Sequence, residues 1–115
     1  MKYMLLFYAS EAAAQQAQAQ GQEIAAAWYA FMQEAGASGA LISTNGLLPT
    51  ANATTVRIRN DKTLTTDGPF AETHEQLGGF AIFDCADLDD AIRWAEKIPH
   101  AKYGSVEIRP LWSEG

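Results

Sequence analysis

"LGGFAIFDCADLDDAIRWAEKIP", residues 77–99, changes its hydrophobic period halfway along. From Leu77 to Asp84 apolar side chains fall on both alternating faces, the pattern of a strand covered on both sides. Beyond Cys85 the pattern turns helical. Asp87 suits an N-cap, and Asp89 and Asp90 occupy the first turn, where the helix dipole favours negative charge. Leu88, Ile92, Ala95 and Ile98 recur at helical spacing and predict the buried stripe, and Pro99 marks the end. A strand feeding a helix in this way is half of a strand–helix–strand unit. "SVEIRPL" at 105–111, with Val106 and Ile108 inward, supplies the closing strand.

The same unit repeats upstream. "YMLLFY" at 3–8 is again apolar on both faces, and Ile24, Trp28, Phe31 and Ala35 recur at helical spacing with Gly36 placed as a left-handed C-cap. Residues 40–44 then read as a strand closed by the turn dipeptide Asn45-Gly46. Between the two units, "TTVRIR" at 54–59 alternates and an Asn60-Asp61 turn leads into "KTLTT", a hairpin over 54–66. Residues 11–20, "EAAAQQAQAQ", have helix propensity but no large apolar residue to anchor them, and are expected to be the most mobile segment. The order predicts an α+β domain of ferredoxin-like βαββαβ plan with an antiparallel sheet. Right-handed crossovers put the helices on one face, which leaves the other face of two apolar strands uncovered. A homodimer with sheets packed face to face, a dimeric α+β barrel, is the expectation.

Length and charge narrow the function. The 115 residues, 48% hydrophobic, suit one domain spanning 1–115. Fourteen acidic residues against eight basic give a net charge of -6, with no run of Lys or Arg, so capture of nucleic acid or of an anionic membrane is excluded. The apolar run after Lys2 alternates aromatics, which suits a strand better than a signal peptide. No stretch has the length of a membrane span. Cys85 stands alone, consistent with a reducing, cytoplasmic compartment.

"DGPFAETHEQLGGF" at 67–80 carries the densest polar chemistry. Asp67, Gly68 and Pro69 suffice to build a corner, with Phe70 as a core plug. The same stretch also sets Asp67, Glu72 and His74 on a loop, where burial would raise a carboxyl toward general-base range and His74 would share the proton. These three are the candidate catalytic residues. Arg57 is a candidate for a carboxylate or enolate ligand because its planar fork binds such groups bidentately, and Tyr8 and Phe70 are candidates for an aromatic ring, as Tyr3 and Trp28 would also be. Gly78-Gly79 lacks the following helix and Lys of a phosphate loop and reads as a bulge or close backbone approach. His100 is expected on a surface turn. Asp67, Glu72 and His74 have no recognised metal spacing, and neither a metal nor an organic cofactor is expected.

The motif "DGPFAETHEQLGGF", with "DLDDAIRWAEKIP" at 87–99, "GSVEIRPL" at 104–111, "MKYMLLFY" and "TTVRIR", closely resembles the DGPF branch of the YCII-related domain proteins. The resemblance implies a dimeric α+β barrel, in a superfamily that includes muconolactone isomerases, quinol-type monooxygenases and a dehydrochlorinase of chlorinated hydroxyquinols. The His-Asp pair of the YCII branch does not carry over, because the place after the first strand reads Ala9, Ser10, Glu11. Two functions follow as expectations. One is a pocket near the DGPF loop for a small aromatic or carboxylated molecule, handled by acid/base chemistry. The other, implied by the family alone, is an accessory module acting in trans with an extracytoplasmic-function sigma factor.

Overall fold

The computed structural model describes residues 1–112. Its main sheet has four antiparallel strands, β1 (Lys2–Ser10), β2 (Leu41–Gly46), β5 (Glu75–Asp84) and β6 (Ser105–Pro110), in the order β2-β5-β1-β6. Helices α1 (Glu11–Ala19) and α2 (Gly21–Ser38) connect β1 to β2, and α3 (Leu88–Lys97) connects β5 to β6. This is the α+β, ferredoxin-like plan. The hairpin β3 (Thr54–Arg59) and β4 (Lys62–Asp67) forms a separate two-stranded sheet, its turn built by Asn60 and Asp61 at φ 53 and 61. Two adjacent residues at positive φ make the hairpin turn whose twist matches the strands. Among the described residues no helix is long and apolar enough to cross a membrane.

The core lies between the sheet and α2 and α3. Tyr3, Leu5, Phe7 and Ala9 point there from β1, and Ala81 and Phe83 from β5. Phe31 and Ala35 meet them from α2, and Ala91, Ala95 and Ile98 from α3 and its end. Phe83 stacks on Trp94 at 4.9 Å. The alternate residues Met4, Leu6, Tyr8, Phe80 and Ile82 face the other side and are only partly buried. That division is the uncovered face anticipated from two strands with no polar alternation.

Four local expectations need correction. The left-handed cap of α2 is Gly39, φ 76, and Gly36 lies inside the helix. Asn45 and Gly46 do not turn. They continue β2 in register with Phe80 and Gly79, because the sheet partner outweighs local turn propensity. Leu88 and Ile92 are exposed at 50% and 38%. The Asp87 side chain accepts from the Asp90 backbone amide, and the register so fixed presents Ala91 and Ala95 to the sheet, with Trp94 partly buried beside them. Small residues there let the helix approach closely. Phe70 is no core plug, being 74% exposed. The Gly-Gly expectation holds: Gly78 has no partner between the Phe7–Gly79 and Tyr8–Leu77 pairs. A Cβ on Gly79 would lie 2.8 Å from the Asn45 carbonyl.

Candidate active site

The segment after α3 builds a site that the sequence did not single out. Ile98 and Pro99 are both buried and anchor a short 3-10 turn, Pro99–Lys102, that brings His100 back beneath the end of the sheet. The turn is held by Gly104, whose amide donates to the His100 carbonyl at 2.8 Å. A Cβ on Gly104 would stand 2.0 Å from the Tyr8 carbonyl and 3.1 Å from the His100 ring. Glycine is therefore required there for the turn to lie against β1. His100 is half-buried, not on a surface turn as its place after Pro99 suggested.

The ring sits between Phe7 (5.8 Å) and Tyr103 (4.6 Å). Nδ1 is 3.0 Å from the Tyr103 hydroxyl. Nε2 is buried without a hydrogen-bond partner among the described residues, and the Tyr8 backbone favours the protonated ring as a whole. A tautomer carrying its proton on Nε2 leaves Nδ1 to accept from Tyr103, an assignment that follows from the surroundings. Desolvation lowers the His100 pKa below its ordinary value of 6.5, opposed by the Tyr8 carbonyl and the charge of Glu75. Desolvation likewise raises that of Tyr103, opposed by the Trp28 indole. At neutral pH the pair is a neutral imidazole and an intact phenol.

His100 and Tyr103 wall a cavity of about 500 Å³ that also takes in Phe7, Trp28, Met32, Thr44, Asn45 and Gly46. Its size falls in the range of small-molecule sites. Trp28 stands 5.6 Å from Phe7, centroid to centroid, so two aromatic rings converge on one side of it. A second cavity of about 360 Å³, lined by Ser10, Gln15, Gln18 and Gln76 among others, lies across Gly78 and His100, which belong to both. The sequence offered two signals for this site. Trp28 was among the aromatic candidates, and Pro99 with Gly104 brackets a turn too short to place His100 far from the sheet.

The residues of the DGPF loop lie elsewhere. Tyr8 and Phe70 share a third cavity of about 520 Å³ with Thr55, Pro69, Thr73 and Leu77. The Arg57 guanidinium donates to the Phe70 carbonyl at 3.0 Å and Thr55 Oγ1 to the Gly68 carbonyl at 2.8 Å, so Arg57 braces the loop. Gly68, at φ 96, makes the bend. Asp67, Glu72 and His74 are exposed, and among the described residues no side-chain hydrogen bond or ion pair holds them. Tyr8 donates to Glu107 at 3.3 Å, and burial first, then the Glu107 charge, raises its pKa. No three His, Cys, Asp or Glu side chains converge to hold a metal among the described residues.

Three comparisons place the molecule. Its fold is similar to that of a 5-chloro-2-hydroxyhydroquinone dehydrochlorinase from Burkholderia phenoliruptrix AC1100, solved in complex with 2,5-dihydroxybenzoquinone. The TM-score is 0.59 at 14% identity, over 100% of this chain and 96% of that one. An uncharacterised protein of Rhizobium meliloti (strain 1021) is 49% identical over 67 residues, 56% of this chain and 54% of the relative. The match thus spans about half the length of that relative. The model of the YCII-related domain matches residues 1–114, and the chain belongs to the YCII-related domain family.

Proposed function

We propose that this domain, a member of the DGPF branch by its "DGPFAETHEQLGGF" motif, binds and transforms a small hydroxylated aromatic or quinone-like molecule in the cavity beside Trp28. The observation that carries the reading is the His100–Tyr103 pair, 3.0 Å apart at the wall of an aromatic-lined cavity. An acidic hydroxyl or C–H of the ligand gives its proton to the Tyr103 oxygen while the phenol proton passes to His100 Nδ1. The ligand is left as an enolate or phenolate and His100 as an imidazolium. The lowered pKa keeps His100 unprotonated, and burial keeps the Tyr103 phenol intact, so both partners stand in the protonation states the relay starts from near neutrality. Trp28 and Phe7 supply faces for ring packing, and Asn45 a polar group at the rim. The 2,5-dihydroxybenzoquinone held by the structurally similar dehydrochlorinase supports the ligand class. The lone, buried Cys85 suits a reducing cytoplasm.

Isothermal titration with 2,5-dihydroxybenzoquinone, catechol and benzoate tests the reading. One of them binds the wild-type protein, and Tyr103→Phe and Trp28→Ala each weaken that binding. Equal affinity in all three proteins would remove the cavity from consideration. Binding lost instead with Asp67→Ala or Glu72→Ala would return the chemistry to the DGPF loop.

A further inference from the structure

The β3–β4 hairpin is an arm with little to hold it. Among the described residues it makes no ladder with the main sheet, and an isolated hairpin is at best marginally stable in water. Its two faces differ in chemistry. Val56 pairs with Thr65 and Ile58 with Thr63, so one face is apolar and β-branched. Arg57 pairs with Leu64 and Arg59 with Lys62, so the other face and the tip are basic. Val56 and Ile58 are 60% and 65% exposed, and Phe70 at the arm's root is 74% exposed. The molecule is accordingly spread out, 48 × 45 × 19 Å with a radius of gyration of 16.1 Å, against about 13 Å for a compact chain of this length.

Charge tells what the arm meets. Three of the eight basic residues and two of the fourteen acids lie in the hairpin, residues 54–67, which makes the arm +1 and the rest of the chain -7. A basic, apolar-faced limb is complementary to the acidic body of the chain itself, and electrostatic complementarity favours that encounter. The open face of the sheet, Met4, Leu6, Phe80 and Ile82, is the surface on which two bodies would meet, and Glu107, opposite Leu6 on β6, puts an acid on the adjoining strand. The hairpin forms its own two-stranded sheet, and Val56 and Ile58 stay exposed within one copy, so a second copy is the acidic partner that would bury them.

We propose that the hairpin is an exchange arm. In a dimer with the open sheet faces apposed, each arm lies across the other copy, buries Val56 and Ile58 there, and sets Arg59 and Lys62 against its acidic surface. The cavity of about 520 Å³ at the arm's root, walled by Tyr8 and Phe70, is closed by the second copy. This is an isologous contact, in which each copy gives and receives the same element. It goes beyond face-to-face packing of sheets and does not depend on proton transfer at Tyr103.

Sedimentation velocity at several salt concentrations tests the exchange, using the full chain. The wild type is a dimer whose dissociation constant rises with salt, and Val56→Asp with Ile58→Asp raises that constant on the order of 100-fold, as loss of two central apolar contacts does. Both positions face solvent within one copy, so circular dichroism of the variant remains that of the folded protein. Photo-crosslinking from an Ile58→Cys variant carrying a benzophenone, in a mixture of ¹⁵N-labelled and unlabelled protein, yields mixed-isotope products with peptides of β1, β5 or β6. A monomeric wild type, a dimer indifferent to the Val56→Asp and Ile58→Asp changes, or crosslinks confined to one isotope would each overturn the proposal.

Discussion

The chain's two histidines occupy opposite circumstances. His74 stands exposed on the loop after the hairpin with two glutamates nearby in sequence, and among the described residues its side chain makes no hydrogen bond. His100 is half-buried beside Phe7, is joined to Tyr103, and has its pKa pushed down by desolvation. The sequence made His74 the more conspicuous, because acids crowd it and the motif around it is distinctive. The fold shields His100 from water and fixes a phenol beside it, which keeps the ring in its neutral, proton-accepting form near pH 7.

The sharpest way to break this contrast is kinetic. With a bound ligand from the aromatic series, His100→Gln and Tyr103→Phe each lower proton-transfer turnover, by about 10²- to 10⁴-fold if the pair is the general base. His74→Gln leaves the rate near that of the wild type. Hydrogen–deuterium exchange into the ligand, followed by NMR, measures it directly. A rate that falls with His74→Gln and not with His100→Gln would reverse the assignment.

The two glycines that shape these regions give the next largest effect. Gly104→Ala forces a methyl group to 2.0 Å from the Tyr8 carbonyl. The turn must shift, which costs about 1–3 kcal/mol of stability by overpacking and moves His100 off Tyr103, so ligand affinity falls as well. Gly68→Ala meets no atoms within 4 Å and suffers only from its φ of 96. We expect a loss on the order of 1 kcal/mol there, with ligand affinity kept. Urea denaturation of both variants beside ligand titration separates the two outcomes.

Why the fold was legible and the site less so follows from the range of the interactions. Strands β1 and β5 announce themselves because six or more consecutive positions agree on one period, and the Asp87 cap and the Asn60-Asp61 turn are local chemistry. Asn45-Gly46 misled because a β5 neighbour more than 30 residues away pairs with it. Leu88 and Ile92 misled because helical spacing admits more than one stripe, and only the docked helix selects Ala91 and Ala95. His100, Tyr103, Trp28 and Phe7 come from three separate parts of the chain. Nothing in their spacing brings them together until the Ile98–Pro99 anchor and the missing Cβ of Gly104 fold the turn under β1. Arg57 was read for its charge, whereas its guanidinium closes on a carbonyl of its own loop.

The smallest expected effect is on the pH dependence of stability. Burial keeps His100 neutral in the folded protein, whereas the unfolded chain takes up its proton near the ordinary value of 6.5. Below that pH the unfolded state binds more protons, so stability falls as pH drops through 6.5 and levels off once the native ring itself titrates. His100→Gln removes this portion of the decline. Melting temperatures recorded from pH 8 to pH 4.5 for the two proteins compare the slopes, and a wild-type slope matched by His100→Gln would mean that burial does not hold the His100 ring neutral.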